Sequence, residues 1–382
     1  MKNIAVIMDI SDKSGGKLHM AISICNYLKK IKNYNFRFIT TFQSSKNLLD
    51  EKLSLDTLLF DKNKFNKRLL NKLKKIFYFL PFKFPFEKFL TKEKIDLIFF
   101  LDPSPLIRSF EKIKNIYKIF DIEHRELKNL PEFNENNNHN RDYDYYLAGK
   151  KSNKIIVGTK NLKKKISEIY KIDSSKILDL KFPPPITEIK NINISKIENN
   201  IYQAGKGIDY LFYPAQFWQH KNHAYIIEAV YKLQQVNKLD FRIIFTGHDK
   251  GNLKNVKSLI HKKNLKDKFI IFDYVKDEEL YYLYENCMGV VVPTLVAPHT
   301  FPLYEAFYFK KPIIYNSSIL DPELKDKVIG LDVKNTNHLE EIMIKLKNKE
   351  FTKDLVKKNY DYFKKIFNEN DMIEQLSRIL EI

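Results

Sequence analysis

The stretch VPTLVAPHTFPLYEA, residues 292–306, runs from the end of a strand through a loop into a helix. Val290 to Val292 is a short, fully apolar run of β-branched residues, which is typical of a buried strand. A helix is expected to begin near Pro302, with Glu305 in its first turn. A strand that passes through a loop into a helix is the repeating unit of a parallel α/β sheet.

The same unit recurs on both sides of this stretch. In the second half of the chain the predicted strands are Tyr210–Tyr213, Arg242–Phe245, Phe269–Phe272, Val290–Val292 and Pro312–Tyr315. In the first half they are Ile4–Met8, Phe36–Thr40, Ile95–Leu101, Ile116–Phe120 and Lys154–Val157. Amphipathic helices alternate with these strands, so the sequence predicts an α/β protein with two doubly wound, mostly parallel sheets.

Three consecutive prolines, Pro183 to Pro185, interrupt this alternation, because proline continues neither a helix nor a central strand. We predict an N-terminal domain over 1–190, a linker over 191–207 and a second domain over 208–365. Residues 366–382 are expected to form a helix that packs back on the N-terminal domain. The polar run 134–140 is predicted to be a loop, and two helices are predicted between Leu339 and Leu380.

The chain of 382 residues has 66 Lys and Arg against 47 Asp and Glu, a formal net charge of +19. This balance favours anionic partners, although a general bias toward Lys and Asn explains it equally well. A nucleic-acid-binding protein is the weaker alternative, because no recognition motif is present. Cys25 and Cys287 are too few for a disulfide framework, and no signal peptide or run of about 18 apolar residues occurs. We therefore expect a cytoplasmic protein that is soluble or peripherally attached to a membrane.

Ligands of open α/β sheets bind beyond the carboxyl ends of the strands. One loop in that position contains Gly15 and Gly16 before a predicted helix, where backbone N–H groups favour an anion. A plain turn explains these glycines equally well. The full dinucleotide fingerprint is absent, which argues against a nicotinamide-dependent dehydrogenase.

A second loop runs from Tyr213 to His223 and leads into a helix. Lys221 is placed to meet a diphosphate at the helix start. His220 and His223 have the i, i+3 spacing of a metal pair, but no carboxylate or cysteine lies nearby in sequence. Trp218 is interpreted as a packing residue.

A third loop follows Thr246, where Gly247 either lines a phosphate site or turns the chain. Glu305 has two interpretations as well. It either stabilises a helix N-terminus or accepts hydrogen bonds from ribose hydroxyls.

Two further candidate sites lie in the first half of the chain, an acidic pair and a histidine. Asp142 and Asp144 form an Asp-x-Asp pair of the kind that holds a divalent metal, although a solvated helix start is the simpler explanation. His124 follows a predicted strand, so it projects toward a ligand cleft, where it would position an acceptor hydroxyl or the sugar.

These motifs together resemble glycosyltransferase family four. The resemblance rests on the loop Tyr213–His223, on Thr246-Gly247 and on Pro293–Ala306, and it extends to Gly15-Gly16 and to the Glu-His pair at His124. It implies a GT-B fold with two Rossmann-like domains facing across a cleft. It also implies retaining transfer of a sugar from a nucleotide donor, without a bound metal or other cofactor.

The resemblance also assigns roles to individual residues. Lys221 matches the lysine that binds the donor phosphates, and Glu305 matches the second Glu of a Glu-x7-Glu motif, which holds the ribose. The segment His299-Thr300-Phe301 matches the backbone that meets the diphosphate, and Gly15, Gly16 and Gly247 match loops that line the donor. His124 corresponds to a histidine beside the transferred sugar.

Two positions depart from the family pattern. Ala297 stands where the first Glu is expected, and Gln216 stands where the family has an Arg. Ala297 to Thr300 resembles a variant loop of some members, so activity is expected with an altered sugar preference. A catalytically inactive nucleotide-sugar-binding protein is the alternative.

A basic, aromatic segment over 62–94 is predicted to bind an anionic membrane surface. Its basic residues are Lys62, Lys64, Lys67, Arg68, Lys72, Lys74, Lys75, Lys83, Lys88, Lys92 and Lys94. Such a segment suits the headgroup region of a membrane, which would fit a lipid-linked acceptor such as a polyprenyl-linked glycan or a lipopolysaccharide core. An ordinary helix with inward-packed Phe side chains is the alternative. The family resemblance, together with this basic segment, implies a transferase of bacterial cell-surface polysaccharide biosynthesis on the inner face of the cytoplasmic membrane.

Overall fold

The computed structural model describes residues 1–9, 16–61, 85–131, 135–189, 192–236, 241–296, 301–348 and 350–382. The chain divides into two compact units. Unit 1 comprises Met1–Arg125, Glu135–Phe182 and Glu369–Ile382, and unit 2 comprises Glu126–Asn134 and Pro183–Asn368. Each unit contains one parallel sheet, so the predicted α/β class with two doubly wound domains is confirmed.

Unit 1 is built on a seven-stranded sheet within the described residues. Its strands are β1 Lys2–Ile7, β2 Tyr34–Thr40, β3 Leu58–Leu59, β4 Leu97–Phe100, β5 Lys114–Lys118, β6 Lys154–Val157 and β7 Ile177–Asp179. The helices of the first half are α1 Gly16–Lys30, α2 Gln43–Leu53, α3 Pro85–Lys92, α4 Glu123–Glu126, α5 Glu135–Lys151 and α6 Lys160–Tyr170. The spatial strand order is β3-β2-β1-β4-β5-β6-β7.

Unit 2 is built on a six-stranded sheet within the described residues. Its strands are β8 Tyr210–Pro214, β9 Arg242–Thr246, β10 Phe269–Phe272, β11 Gly289–Val292, β12 Ile313–Asn316 and β13 Ile329–Leu331. The helices are α7 Asn199–Gly205, α8 His223–Val236, α9 Leu253–Lys262, α10 Asp277–Asn286, α11 Phe301–Tyr308, α12 Thr336–Leu346 and α13 Glu350–Ile366, and the chain ends with α14 Glu369–Leu380 in unit 1. The spatial strand order is β10-β9-β8-β11-β12-β13.

The strand order fixes where a ligand is expected in each unit. Val290, Val291 and Val292 are all buried, as expected for a parallel strand with both faces covered. The order reverses between β1 and β4 in unit 1 and between β8 and β11 in unit 2. In open α/β sheets the ligand crevice forms at such a switch point, beyond the carboxyl ends of the strands.

The ten predicted strands are all present, with boundaries that shift by no more than two residues. The strands β3, β7 and β13 were not predicted, because two or three residues carry no periodic signal. The predicted loop at 134–140 is wrong from Glu135 onward, where α5 begins. The two helices predicted over 339–380 are three, namely α12, α13 and α14.

The stretch assigned to a linker is folded into unit 2. Helix α7 lies within it, and Ile201 and Ala204 are buried in the unit 2 core. The backbone N–H of Glu198 also donates to Glu279 Oε1 at 3.2 Å. The chain therefore passes from unit 1 to unit 2 between Phe182 and Pro183, and α14 returns to unit 1, where Lys30 and Glu369 form an ion pair at 2.9 Å.

Most of the basic, aromatic segment, Lys62–Phe84, lies outside the described residues. In its described part, Phe86 and Leu90 of α3 are buried. The Phe60 ring lies 4.9 Å from that of Phe86 and 5.3 Å from that of Phe89, centroid to centroid. These Phe side chains belong to the unit 1 core, so the membrane interpretation does not hold for α3. Among the described helices, none is long and apolar enough to cross a membrane.

Candidate functional site

Two loops meet at the switch point of the unit 2 sheet. One follows β8 and the other follows β11, and these strands are neighbours. The backbone N–H of Leu295 donates to the His220 carbonyl at 2.9 Å, and Asn222 Nδ2 donates to the Pro293 carbonyl at 3.3 Å. Two loops that are about seventy residues apart in sequence are thus fastened together where this fold class binds its ligands.

Lys221 ends a short 3₁₀ turn, Gln219–Lys221, within the β8 loop. Its carbonyl accepts a hydrogen bond of 2.8 Å from Tyr213 Oη. Asn222 then adopts a left-handed conformation with φ 57°, and α8 begins at His223. The backbone of Lys221 is therefore held just before a helix N-terminus, where anions are favoured.

Gly247 occupies the point where the β9 loop crosses the β8 loop. Its φ is 150°, a conformation that favours glycine. A Cβ at Gly247 would lie 2.5 Å from the Ala215 carbonyl oxygen and 2.7 Å from the Gln216 nitrogen. The backbone N–H of Phe217 donates to the His248 carbonyl at 3.0 Å, which holds the two loops side by side. Glycine is required here by the packing of two backbones.

Glu305 is the fifth residue of α11, so the expectation that it lies in the first helical turn is wrong. Its side chain is buried, with a residue exposure of 3%, and Tyr284 Oη donates to its Oε2 at 2.5 Å. Burial raises the pKa of Glu305 to about 7, and the Tyr284 hydrogen bond opposes that shift. Carboxylate oxygens have about four lone-pair sites, so the group retains capacity for a ligand hydroxyl.

Three of the predicted donor-binding residues lie outside the described residues, namely Gly15, His299 and Thr300. The same is true of Ala297, one of the two positions that depart from the family pattern. Phe301 is the first residue of α11, next to that loop.

Two further donor-binding candidates have clear surroundings. Gly16 is the first residue of α1 in unit 1, and a Cβ there would meet no atom within 4 Å. Gln216, in unit 2, accepts a hydrogen bond of 3.2 Å at its Oε1 from Trp218 Nε1. Its amide is therefore directed to a neighbour in the same loop.

The His220 and His223 pair does not form a metal site. His223 is packed among the rings of Tyr213, Phe217 and Phe245, with centroid distances of 4.9, 4.6 and 5.0 Å. Burial lowers the pKa of His223 to about 3, so it is a neutral core residue at physiological pH. No cluster of three or more His, Cys, Asp or Glu able to hold a metal occurs in the described part of the chain.

His124 lies in unit 1 and is buried, with a residue exposure of 1%. Its Nε2 lies 2.9 Å from Asp142 Oδ1, which also accepts bonds from Arg125 Nε at 2.6 Å and Tyr170 Oη at 2.6 Å. Because a carboxylate accepts, Nε2 carries the proton and Nδ1 is left as an acceptor with no partner among the described residues. Burial lowers the pKa of His124, which favours the neutral ring.

The Asp142 and Asp144 pair is therefore occupied by cations of the protein. Asp142 takes part in the network around His124, and Asp144 pairs with Arg108 Nε at 2.5 Å. The two carboxylates serve different partners, which argues against their joint use as metal ligands.

Sequence reasoning missed two polar residues, one at each sheet edge. Asn316 at the end of β12 is buried and donates from Nδ2 to the Thr294 carbonyl at 2.9 Å, which braces the β11 loop. Lys118 ends β5 in unit 1 and is buried. The available signal was a lysine inside the otherwise apolar run Ile116–Phe120, which was interpreted only as a strand.

Comparison with known proteins agrees with this arrangement. Residues 196–364 match the family model for glycosyl transferases group 1. No curated protein matches the chain.

Solved structures match over the whole chain. HepE from Anabaena, solved with UDP and glucose, is 13% identical with a TM-score of 0.76, and the match covers 100% of this chain and 99% of that one. Sucrose-phosphate synthase from Thermosynechococcus elongatus is 12% identical with a TM-score of 0.72, covering 100% and 98%. A TarM variant from S. aureus, solved with UDP among its ligands, is 10% identical with a TM-score of 0.70, covering 100% of both. The two Rossmann-like units thus match those of GT-B glycosyltransferases.

Proposed function

We propose that this protein is a glycosyltransferase that moves a sugar from a nucleotide sugar, a UDP-sugar or alternatively a GDP-sugar, to a glycan or lipid-linked acceptor with retention. The observation that carries the proposal is the joining of the β8 and β11 loops at the unit 2 switch point. This region lies within the group 1 glycosyl transferase match. HepE and TarM were solved with UDP, which supports a uridine nucleotide as the donor's leaving group.

The chemistry requires stabilisation of negative charge on the departing diphosphate. In this proposal Lys221 supplies a positive charge, and the N-terminal N–H groups of α11 supply hydrogen bonds. The leaving phosphate oxygen would take the acceptor proton on the same face of the sugar, which leads to retention without a protein nucleophile. Such a site needs no metal, because protein cations and N–H groups neutralise the diphosphate.

Lys221→Ala should raise the dissociation constant for UDP by about 10- to 150-fold, because a hydrogen bond to a charged group contributes about 1.5–3 kcal/mol. The measurement is calorimetric titration of UDP and GDP into the intact protein, in buffer containing EDTA. Lys257→Ala is the matched control, since Lys257 is an exposed lysine of α9 and its loss changes the net charge equally.

Three outcomes of this titration, combined with an assay of UDP-sugar turnover, are decisive. Binding of UDP that is weakened by Lys221→Ala and spared by Lys257→Ala supports the proposal. Binding that disappears in EDTA and returns with Mg²⁺ would contradict the metal-free site. Binding without turnover of a panel of UDP-sugars would instead favour the catalytically inactive alternative, which Ala297 and the neutral Gln216 suggest.

Glu305→Gln should raise the dissociation constant for UDP about tenfold or more, because an amide is a poorer acceptor of ribose hydroxyls than a carboxylate.

The same substitution should also change the stability of the folded protein, and at high pH this change should favour the variant over the wild type. The pKa of Glu305 in the folded protein, about 7, lies above its ordinary value of 4.5. Its favourable contribution is therefore present at low pH and lost as the pH rises through 7. The Gln variant should be relatively more stable at pH 8 than at pH 5.

Tyr284→Phe is the control for Glu305, since it removes the observed hydrogen bond and keeps the carboxylate. If Glu305 only ties α10 to α11, both variants would change the melting temperature and neither would change UDP affinity. That result would remove Glu305 from the donor site.

We also propose that His124 positions the acceptor or the transferred sugar, and that Gly15, Gly16, Gly247, His299 and Thr300 line the donor. The acceptor, the setting in surface polysaccharide synthesis and a cytoplasmic, membrane-peripheral location are proposals from the family resemblance. Anionic membrane binding is now restricted to Lys62–Phe84. Co-sedimentation with neutral and anionic vesicles tests it, and equal recovery with both at low salt would contradict it.

A further inference from the structure

Strand β5 of unit 1 ends in a lysine that the sheet buries. Lys118 pairs in register with Ile156 of β6, and its residue exposure is 1%. No hydrogen bond or ion pair joins its ammonium group to the described residues. Strand β5 is the neighbour of β4, which borders the unit 1 switch point. Lys118 thus stands at the carboxyl edge where this fold class binds ligands.

Two aromatic rings form the immediate surroundings of this lysine. Its Nζ lies 5.6 Å from the centroid of Phe120 and 5.0 Å from that of Phe182. Such rings attract a cation through their quadrupole, but they offer no strong hydrogen-bond acceptor. They also exclude water, which strengthens any electrostatic contact made there.

The carboxylates that follow the neighbouring strands are already engaged. Asp102, beyond β4, pairs with Lys17 Nζ at 3.1 Å, and Lys17 Nζ lies 5.7 Å from the centroid of Phe120, the same ring that Lys118 contacts. Asp9, beyond β1, accepts bonds from Thr40 Oγ1 at 3.0 Å and from the Thr41 N–H at 2.7 Å. At this edge Lys17 and Lys118 therefore both contact the Phe120 ring, and the Asp102 carboxylate pairs with Lys17.

A buried ammonium without a counter-ion is costly to a folded protein. Burial lowers the pKa of Lys118 to about 7 from 10.5, so the group is half charged near physiological pH. An ordinary core position would hold an apolar residue of the same length, such as methionine. A lysine retained at a ligand-binding edge has an evident use if something supplies the missing negative charge.

We propose that Lys118 binds an anionic substituent of the acceptor, a phosphate or a carboxylate, at the carboxyl edge of the unit 1 sheet. The identification of the ligand as the acceptor rests on the proposed function, whereas the anion site itself does not. A neutral sugar hydroxyl would leave the ammonium uncompensated, so the site selects for an anion.

The proposal has a pH signature. A bound anion favours the ammonium form of Lys118. Anion binding above pH 7 should therefore be accompanied by uptake of a proton. For a carboxylate ligand, affinity should be constant below pH 7, and for either anion it should fall by up to about tenfold per unit above pH 7. Among the described residues, the other charged groups of this edge are Lys17, Asp102, Asp9, Asp121 and, through its effect on Asp102, Arg141.

The test is a pH titration of the intact protein with ¹⁵N-labelled lysine, read by the side-chain resonances. The resonance that titrates near pH 7 and disappears in Lys118→Arg belongs to Lys118. UDP is present at saturation, and the probes are inorganic phosphate, glucuronate and, as the neutral control, glucose. An upward shift of the midpoint with phosphate identifies a phosphate site, and a shift with glucuronate identifies a carboxylate site. No shift with either anion would overturn the proposal.

A kinetic arm separates this proposal from the proposed function. Lys118→Met should raise the KM for an anionic acceptor at least about tenfold at pH 6.5 and leave the UDP dissociation constant unchanged, while Lys118→Arg should retain binding and lose the pH dependence above 7. An unchanged acceptor KM in folded Lys118→Met would refute the acceptor role. Failure of the wild-type protein to bind UDP would refute the proposed function, and the resonance titration would still decide the anion site.

Discussion

Replacement of Gly247 by alanine should lower the free energy of unfolding of unit 2 by about 3 kcal/mol or more. A φ of 150° is strained for any residue with a side chain, which costs about 1–3 kcal/mol. The new Cβ would also press on the Ala215 carbonyl at 2.5 Å. Because the obstacle is backbone, it cannot swing away as a side chain would, and the β8 and β9 loops must separate.

The measurement is urea unfolding followed by the fluorescence of Trp218, the single tryptophan, which lies in the affected β8 loop of unit 2. Two glycines of unit 2 serve as controls. A Cβ at Gly330 would meet only Ser317 Cβ at 3.5 Å, so Gly330→Ala should change the free energy of unfolding little. Gly251 has a φ of 100° with open space around it, so Gly251→Ala tests the backbone conformation without crowding. If Gly247→Ala is no worse than Gly251→Ala, the crowding argument is wrong and only the backbone conformation matters.

Gly247→Ala should also weaken UDP binding in the fraction that remains folded. A Cβ at position 247 would lie 2.7 Å from the Gln216 nitrogen. The resulting displacement of Gln216 moves the loop that contains Lys221. Calorimetric titration at low temperature, where the variant stays folded, measures this effect.

Lys118→Met should stabilise unit 1 by about 2–3 kcal/mol at pH 6. The pKa difference between 10.5 and about 7 corresponds to about 5 kcal/mol at 1.36 kcal/mol per unit, and loss of the two ring contacts offsets part of the gain. Methionine fills the same volume without a charge.

The pH dependence of this gain has a definite sign. Between pH 7 and 10.5 the unfolded chain binds a proton at Lys118 that the folded chain lacks, so wild-type stability rises with pH in this range. The advantage of Lys118→Met should therefore be largest at pH 6 and shrink toward pH 9.

Urea unfolding followed by far-UV circular dichroism measures this gain, and Trp218 fluorescence reports unit 2 in the same samples. Lys114→Met is the matched control, because Lys114 begins the same strand and is exposed. An equal gain from both variants, or a gain independent of pH, would show that the burial of Lys118 is not its cause.

The sequence alone determined the architecture. Apolar runs such as Val290–Val292 mark buried parallel strands, because both faces of such strands are covered and each strand records its burial in its own residues. The alternation stops at Pro183 to Pro185, next to the observed boundary at Phe182, but the predicted linker over 191–207 is part of unit 2. The alternation with helices then placed Lys221 and Gly247 at the carboxyl edge of the sheet, where this fold class binds ligands, since every strand of a parallel sheet ends on the same side.

The tertiary structure decided what the chemical groups at that edge are. His223 is a neutral core residue because Phe217 and Phe245 surround it, and Glu305 has a raised pKa because the core buries it, against the opposing effect of the Tyr284 hydrogen bond. Lys118 looks like any other lysine in a lysine-rich chain until the sheet and Phe182 remove it from water. Local patterns reflect interactions along the chain, whereas burial, pairing and pKa depend on residues far apart in sequence, which only the folded chain brings together.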